Sequence, residues 1–109
     1  MESEEGQAVA GAEYVLHLYI TGATPNSARA VQNIKEICER YLAGRYELQI
    51  VDIYQQPELA REARIIAAPT LVKRSPGLIR WLVGDLSERR RVLTLLGIEP
   101  DPNDPYLHG

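Results

Sequence analysis

The sequence has one cysteine, Cys38, and two histidines among its 109 residues. A single cysteine excludes an intramolecular disulfide and a cysteine-rich zinc site, and it gives no sign of an oxidising compartment. His17 lies in an apolar run and His108 lies close to the end of the chain, so the two imidazoles have no metal-ligand spacing. We therefore expect no metal ion and no cofactor.

The chain also lacks an excess of positive charge and any long apolar run. Its 12 basic and 15 acidic residues give a net charge of −3, whereas nucleic-acid binding usually needs a strongly basic face. The short run Arg89-Arg90-Arg91 is typical of a solvated helix face. Glu2, Glu4 and Glu5 stand where a secretory signal would carry positive charge. We expect a cytoplasmic protein that binds neither nucleic acid nor membrane.

Hydrophobic periodicity predicts one domain over residues 14–98, between a flexible acidic segment (1–13) and a flexible proline-rich tail (99–109). The predicted elements are a strand at 14–20, a helix from Pro25 ended by Gly44, a strand at 46–53, a short helix from Pro57, strands at 70–73 and 78–83, and a helix from Asp85 to Gly97. This β-α-β-α-β-β-α order is an α/β arrangement of the thioredoxin-like kind.

Local signals support the order of elements. The run Tyr14–Ile20 is apolar at both odd and even positions, which predicts a strand covered on both faces and paired in parallel with the next one. Thr24 and Pro25 predict an N-cap and a first helical position. Asp85 with Glu88 predicts a capping box for the last helix. In this fold we also expect a cis peptide bond before Pro69.

The predicted fold lacks the group that its enzymes use. Their nucleophilic thiol sits at the start of the first helix, where the helix dipole stabilises a thiolate, but the turn Thr21–Ser27 contains none. Cys38 falls on the apolar side of the helix and is interpreted as structural. Tyr19 and Trp81 are candidates for part of a contact surface, but aromatic residues in strands are more often core or sheet cover, and they are interpreted in that way. A thiol-free relative that binds glutathione or another small molecule is the enzyme-class alternative.

Several stretches together resemble the KaiB family of small clock proteins, over about residues 14–96. The stretches are LYITGATPNS (18–27), IVDI (50–53), QPELA (56–60), IIAAPTL (65–71) and VGDLS (83–87). Pro25, Pro69, Gly84 and Asp85 within them are expected to be structural residues.

The resemblance implies a protein without enzymatic activity that docks on the N-terminal ATPase ring of KaiC or a KaiC-like ATPase. It implies circadian, timing or stress signalling, with KaiA or a histidine kinase bearing a similar domain as further partners. The positions that match contact residues of the family are Arg29, Gln49, Arg64 and Lys73. A detached sensor domain, like that of the related kinase, is another alternative.

The family is also metamorphic: a second fold rearranges the latter half of the chain and assembles as a tetramer. This sequence departs from clock-type members at Ser75-Pro76-Gly77 and at Leu95-Leu96-Gly97-Ile98, both in the region that rearranges. Because the local signals there favour a hairpin and a helix, we expect the protein to rest in the thioredoxin-like form, largely as a monomer.

Overall fold

A computed structural model describes residues 11–108; most of the predicted acidic segment lies outside the described residues. The elements are β1 (Tyr14–Ile20), α1 (Pro25–Tyr41), β2 (Tyr46–Asp52), α2 (Pro57–Glu62), β3 (Thr70–Ser75), β4 (Arg80–Val83), α3 (Arg89–Leu96) and a 3₁₀ helix (Pro105–His108).

The four strands form one mixed sheet in the order β2-β1-β3-β4. Strands β1 and β2 are parallel and in register from Tyr14 opposite Tyr46 to Ile20 opposite Asp52. Strand β3 is antiparallel to β1, and β4 returns along β3 as an antiparallel hairpin. The predicted thioredoxin-like α/β fold, with its parallel pair and its hairpin, is confirmed.

Two apolar clusters cover the two faces of the sheet. The larger contains even-numbered side chains of β1 and β2 packed against α1 and α3, including Leu16, Leu18 and Leu48. The smaller contains Tyr19, Val51 and Val72 with Leu59 and Ala63 from the α2 segment. Because successive side chains of a strand point to opposite faces, α1 and α3 lie on one face of the sheet and α2 on the other.

Helix α1 begins where the sequence predicts. Thr24 is the N-cap and its hydroxyl oxygen accepts a hydrogen bond from the Ser27 N–H at 3.2 Å, while Pro25 occupies the first helical position. The helix ends earlier than predicted, at Tyr41, and the N–H of the cap residue Leu42 donates to the Cys38 carbonyl. Gly44 has the expected left-handed conformation (φ +76°), but it lies in the following turn.

The β3–β4 hairpin differs from its prediction at the turn. Strand β3 continues to Ser75 and β4 begins only at Arg80, because the intervening loop bends around a side chain of β3. That side chain is Lys73, whose ammonium donates to the carbonyls of Pro76 and Leu78. The peptide bond before Pro69 is cis, as predicted, and the one before Pro76 is cis as well.

The predicted capping box of the last helix is wrong. Helix α3 begins at Arg89, and its N-cap, Glu88, makes no side-chain capping hydrogen bond. Leu86, inside the predicted first turn, has a left-handed backbone (φ +65°) that an α-helix excludes. Asp85 is used differently, as described below. Gly97 does end the helix, in the left-handed conformation that favours glycine.

The segment after α3, predicted as a flexible proline-rich tail, carries a short helical element in the structure. It folds back as a 3₁₀ helix, and the Tyr106 ring lies between two guanidinium groups, with the Cζ atoms of Arg40 and Arg89 at 4.2 and 4.1 Å from its centroid. The Tyr41 hydroxyl donates to Asp104 at 2.6 Å. These aromatic and charged contacts join the segment to α1 and α3, and we call Arg40, Arg89 and Tyr106 the C-terminal clamp.

Replacing Tyr106 by leucine keeps an apolar side chain but removes both cation–π contacts. Each contact is worth about 0.5–1 kcal/mol at exposed sites, so we expect Tyr106→Leu to lower the free energy of unfolding by about 1–2 kcal/mol in urea titrations. Asn103→Ala, an exposed change in the same segment, is the control and should be neutral. Equal stability of the two variants would show that the clamp does not hold the segment.

Candidate protein-interaction surface

The start of α1 carries hydroxyl groups that serve the backbone. Ser27 is buried, and its Oγ accepts a hydrogen bond from the Thr21 N–H at 3.1 Å. The Thr24 hydroxyl oxygen caps the helix, as described above. Both hydroxyl oxygens of this turn therefore accept hydrogen bonds from main-chain N–H groups, Ser27 from Thr21 and Thr24 from Ser27.

Cys38 lies in the apolar core between α1 and the sheet and is fully buried. Burial, with a smaller contribution from the Glu39 carboxylate, raises the pKa of its thiol to about 12. Because the thiolate is the reactive form, this cysteine has neither the exposure nor the ionisation that redox chemistry requires. The structure places Cys38 as the sequence predicts.

Asp85 joins the β4–α3 loop to the start of α1. Its Oδ2 accepts a hydrogen bond from Arg29 Nε at 3.2 Å, and its Oδ1 accepts one from the Ser87 N–H at 3.1 Å. Its main-chain carbonyl accepts a third, from Asn33 Nδ2 at 2.8 Å. One residue therefore connects two turns of α1 to the loop that follows the sheet, and we call this set the Asp85 anchor.

The residues on either side complete the anchor. Gly84 has φ +126°, a conformation open to glycine and strained for other residues. Leu86 follows with its side chain 4% exposed in the larger apolar cluster. The hydrogen bonds from Ser87, followed by those of Arg29, hold the pKa of Asp85 below its ordinary value of 3.8. The G-D-L-S motif thus encodes a polar anchor beside a buried leucine.

The structure does not bring the four proposed contact residues together. Arg29 is exposed at the start of α1, whereas Gln49 lies on the outer strand β2 with its side chain on the α2 face. Arg64 follows α2, is exposed and has a left-handed backbone (φ +58°). Three of the positions are therefore accessible, on two faces of the sheet.

Lys73 does not fit a contact on a partly exposed surface. The residue is only 5% exposed, on the same face of β3 as Leu71. Its ammonium donates to two carbonyls of the hairpin loop, one of them Leu78 O at 2.8 Å. Burial, and then the nearby Arg80 guanidinium, lower its pKa. These contacts give Lys73 a role in shaping the hairpin.

The other face of the sheet exposes apolar residues, among them Trp81, which the sequence analysis interpreted as core or sheet cover. Helix α2 has six residues and packs beside β2, leaving the β4 side of this face open. Trp81 is 52% exposed and Val83 59%, while Tyr19 is buried as expected. Ile66, in the loop after α2, is 97% exposed. Strand order decides the exposure of Trp81, and the sequence alone does not give that order.

His17 shares this face and has a structural partner. The Arg74 Nε donates to His17 Nδ1 at 3.1 Å, and burial, followed by the Arg74 charge, lowers the pKa of the imidazole.

Across residues 11–108 the structure brings no three metal-ligating side chains together. None of the helices described there has the length and apolar character needed to span a membrane.

The fold and this site define a class: a thioredoxin-like protein whose catalytic turn carries no thiol. Comparison with known proteins gives the family. The model of the KaiB domain matches residues 17–98. The circadian clock oscillator protein KaiB of Prochlorococcus marinus (strain MED4) is 48% identical over 85 residues, which cover 78% of this chain and 79% of that protein. KaiB of Trichodesmium erythraeum is 49% identical over 80 residues, 73% of this chain and 77% of the relative. This chain belongs to the KaiB family.

Solved structures agree with the fold. The N-terminal domain of Synechococcus elongatus SasA superposes with a TM-score of 0.65 at 28% identity, covering 89% of this chain and 94% of that domain. Fasciola hepatica thioredoxin superposes with a TM-score of 0.65 at 16% identity, covering 81% and 83% of the two chains. The likeness to thioredoxin shows the fold alone.

Replacing Asp85 by asparagine tests the anchor through its pH dependence. A carboxylate whose pKa is lowered on folding adds stability above its unfolded pKa, and this stability is lost as pH falls through the folded value. We expect Asp85→Asn to melt below the wild type at pH 7, with the difference shrinking as the pH falls below 3.8. Glu99→Gln, at an exposed carboxylate, is the control. A difference that does not change with pH would contradict the assignment.

Proposed function

We propose that this protein is a binding protein without enzymatic activity that docks on the ATPase ring of KaiC or a KaiC-like ATPase. Through that complex it regulates a circadian, timing or stress response in the cytoplasm. Membership of the KaiB family supports the partner class. The start of α1 supports the absence of catalysis, since a buried, hydrogen-bonded Ser27 stands in the turn that carries the thiol in enzymes of this fold.

The observation that carries the proposal is the loop after α2. Arg64 is an exposed, non-glycine residue with a left-handed backbone, a conformation that costs of order 1–3 kcal/mol and is concentrated at functional sites. Two residues later Ile66 exposes 97% of its surface. A basic side chain in a strained backbone beside an exposed apolar one is a suitable contact for another protein.

Arg29 and Gln49 extend the proposed contact, and Lys73 does not. The Arg29 side chain is 56% exposed although it bonds Asp85, so it retains donors for a partner. Gln49 lies on an outer strand of the sheet. The ammonium of Lys73 is buried in the hairpin, and this burial supports leaving the residue out of the proposed contact.

Reversing the charge of Arg64 should weaken association with the KaiC ring mainly through the on-rate. A basic residue at an interface steers encounter, so we expect Arg64→Glu to lower the on-rate on the order of tenfold in biolayer interferometry. Raising the salt from about 0.1 M to about 1 M shortens the screening length from about 10 Å to about 3 Å and should weaken wild-type binding as well.

The matched control is Arg61→Glu, which makes the same charge change at an exposed position of α2. Both variants should melt close to the wild type, because both side chains are exposed. An affinity that responds to neither Arg64→Glu nor salt would remove this loop from the site. Loss of binding in both variants alike would show a general effect of net charge.

We further propose that the thioredoxin-like form is the resting and binding-competent form, largely monomeric, and that a tetramer with a rearranged second half is its alternative. The Asp85 anchor and the C-terminal clamp support this assignment, since both tie the second half of the chain to α1.

KaiA, or a histidine kinase with a similar domain, is the proposed further partner or competitor. The likeness to the SasA N-terminal domain shows that this fold also occurs as part of another protein.

The resting form is testable from backbone chemical shifts at tens of micromolar protein. We expect helical shifts over Arg89–Leu96, together with a monomer mass from light scattering. Leu95 favours that helix, because a glycine in its place would cost about 0.8–1.0 kcal/mol relative to alanine. Strand shifts in this segment with a tetramer mass would assign the resting state to the alternative fold.

A further inference from the structure

The outer strand β4 presents main-chain groups that no described residue uses. The Gly84 N–H donates to Pro69 O, so Pro69 and Gly84 are a hydrogen-bonded pair of the antiparallel β3–β4 ladder. Because hydrogen-bonded and non-hydrogen-bonded pairs alternate in an antiparallel ladder, the main-chain groups of Trp81 and Val83 point away from β3. Within residues 11–108 no hydrogen bond is recorded to these groups, so the edge is open for a further strand.

A basic groove runs beside this edge, between β4 and α3. It has a volume of about 330 Å³, and its lining includes these residues of β4 and α3: Arg80, Trp81, Leu82, Arg90, Arg91 and Leu95. Among the described residues neither Arg80 nor Arg90 has a carboxylate partner, while Arg91 pairs with Glu88 at 3.3 Å. We call this feature the β4 groove.

The charge of the β4 groove contrasts with that of the whole chain. Residues 73–91 contain six basic and two acidic side chains, in a protein with a net charge of −3. Arg80 shares a face of β4 with Leu82, toward α3, and Trp81 and Val83 lie on the opposite face. A strand added here would meet guanidinium groups on one face and exposed apolar side chains on the other.

We propose that β4 receives, as a fifth strand of the sheet, an extended segment of a partner protein in which acidic and apolar residues alternate. Main-chain pairing at Trp81 and Val83 supplies affinity, and the side chains on the two faces of β4 supply specificity. Pairing with β4 of a second copy is disfavoured, because Arg80 and Arg90 would meet like charges. The proposal does not rest on the KaiC complex, since Arg64 and Ile66 belong to a different loop.

Trp81 is the only tryptophan of the chain, and its half-exposed side chain lies on the apolar face that an added strand would cover, so its fluorescence reports on strand addition at β4. The probe is the blocked peptide Glu-Val-Glu-Val-Glu-Val-Glu, and we expect a saturable blue shift of Trp81 emission. The peptide with lysine in place of glutamate should give no shift. Replacing the central valine by proline, which removes a main-chain N–H, should weaken binding.

The variant Arg80→Glu/Arg90→Glu should raise the Kd for the acidic peptide at least about tenfold, a change of about 1.4 kcal/mol. Lys35→Glu/Arg61→Glu makes the same change of net charge at exposed positions of α1 and α2 and should leave the Kd unchanged. Circular dichroism melting checks that both variants are folded. Equal binding by the lysine peptide, or no effect of the groove variant, would overturn the proposal.

Two further outcomes would replace the proposed occupant. If a chain lacking residues 1–10 bound the peptide about tenfold more tightly than the full chain, the acidic segment of this chain would be the occupant. If Trp81 emission shifted with increasing protein concentration while the measured mass of the protein doubled, a second copy of this chain would be the occupant. The assay contains no KaiC, so its failure leaves the proposed function standing.

Discussion

The arrangement depends on β1, whose Leu16 and Leu18 are fully buried on one face and whose Tyr19 is buried on the other. It is an inner strand, parallel to β2 on one side and antiparallel to β3 on the other, so both registers are set against it. Helices α1 and α3 cover the face that carries Leu16 and Leu18, where the larger cluster forms. Helix α2 is too short to cover the whole opposite face, and the side of that face formed by β4 stays open. The accessible apolar residues are therefore a consequence of how the central strand is buried.

The sequence predicted the features that depend on local burial and chain direction. The bounds of β1, the cap of α1 and the order of elements follow from apolar periodicity and from Thr24-Pro25. The ends of later elements depend on contacts between distant residues, which periodicity does not contain. Asp85 bonds Arg29, 56 positions away, instead of capping α3, and Lys73 draws the hairpin loop around its ammonium. Tyr106 folds the last segment back because Arg40 and Arg89 lie on two helices that the sequence does not place together.

Only part of the candidate site was predictable, because the exposure of a side chain also depends on contacts between distant residues. Resemblance to a family assigns positions, but the direction of a side chain depends on the strand and the face that it occupies. Arg29, Gln49 and Arg64 are accessible, while Lys73 lies on the covered face of β3. Trp81 was interpreted as sheet cover because aromatic residues in strands are commonly buried; its exposure follows from β4 being the outer strand. The overall composition did not predict the β4 groove, because the net charge of −3 is summed over the whole chain and does not show that residues 73–91 are basic.

The second half of the chain is held to α1 by buried apolar packing of α3 in the larger cluster and by polar contacts near the surface. An exposed ion pair contributes roughly 0.2–1 kcal/mol, and the Arg29–Asp85 pair, with side chains 56% and 28% exposed, belongs to that class. The two cation–π contacts of Tyr106 add about 0.5–1 kcal/mol each. A partner that binds one form of a protein at 100 times its Kd shifts the balance by about 2.7 kcal/mol. Binding and these polar contacts therefore have similar magnitudes, so a partner selective for one arrangement of the second half can offset the anchor and the clamp, while the apolar packing of α3 in the larger cluster is a further contribution to the thioredoxin-like form.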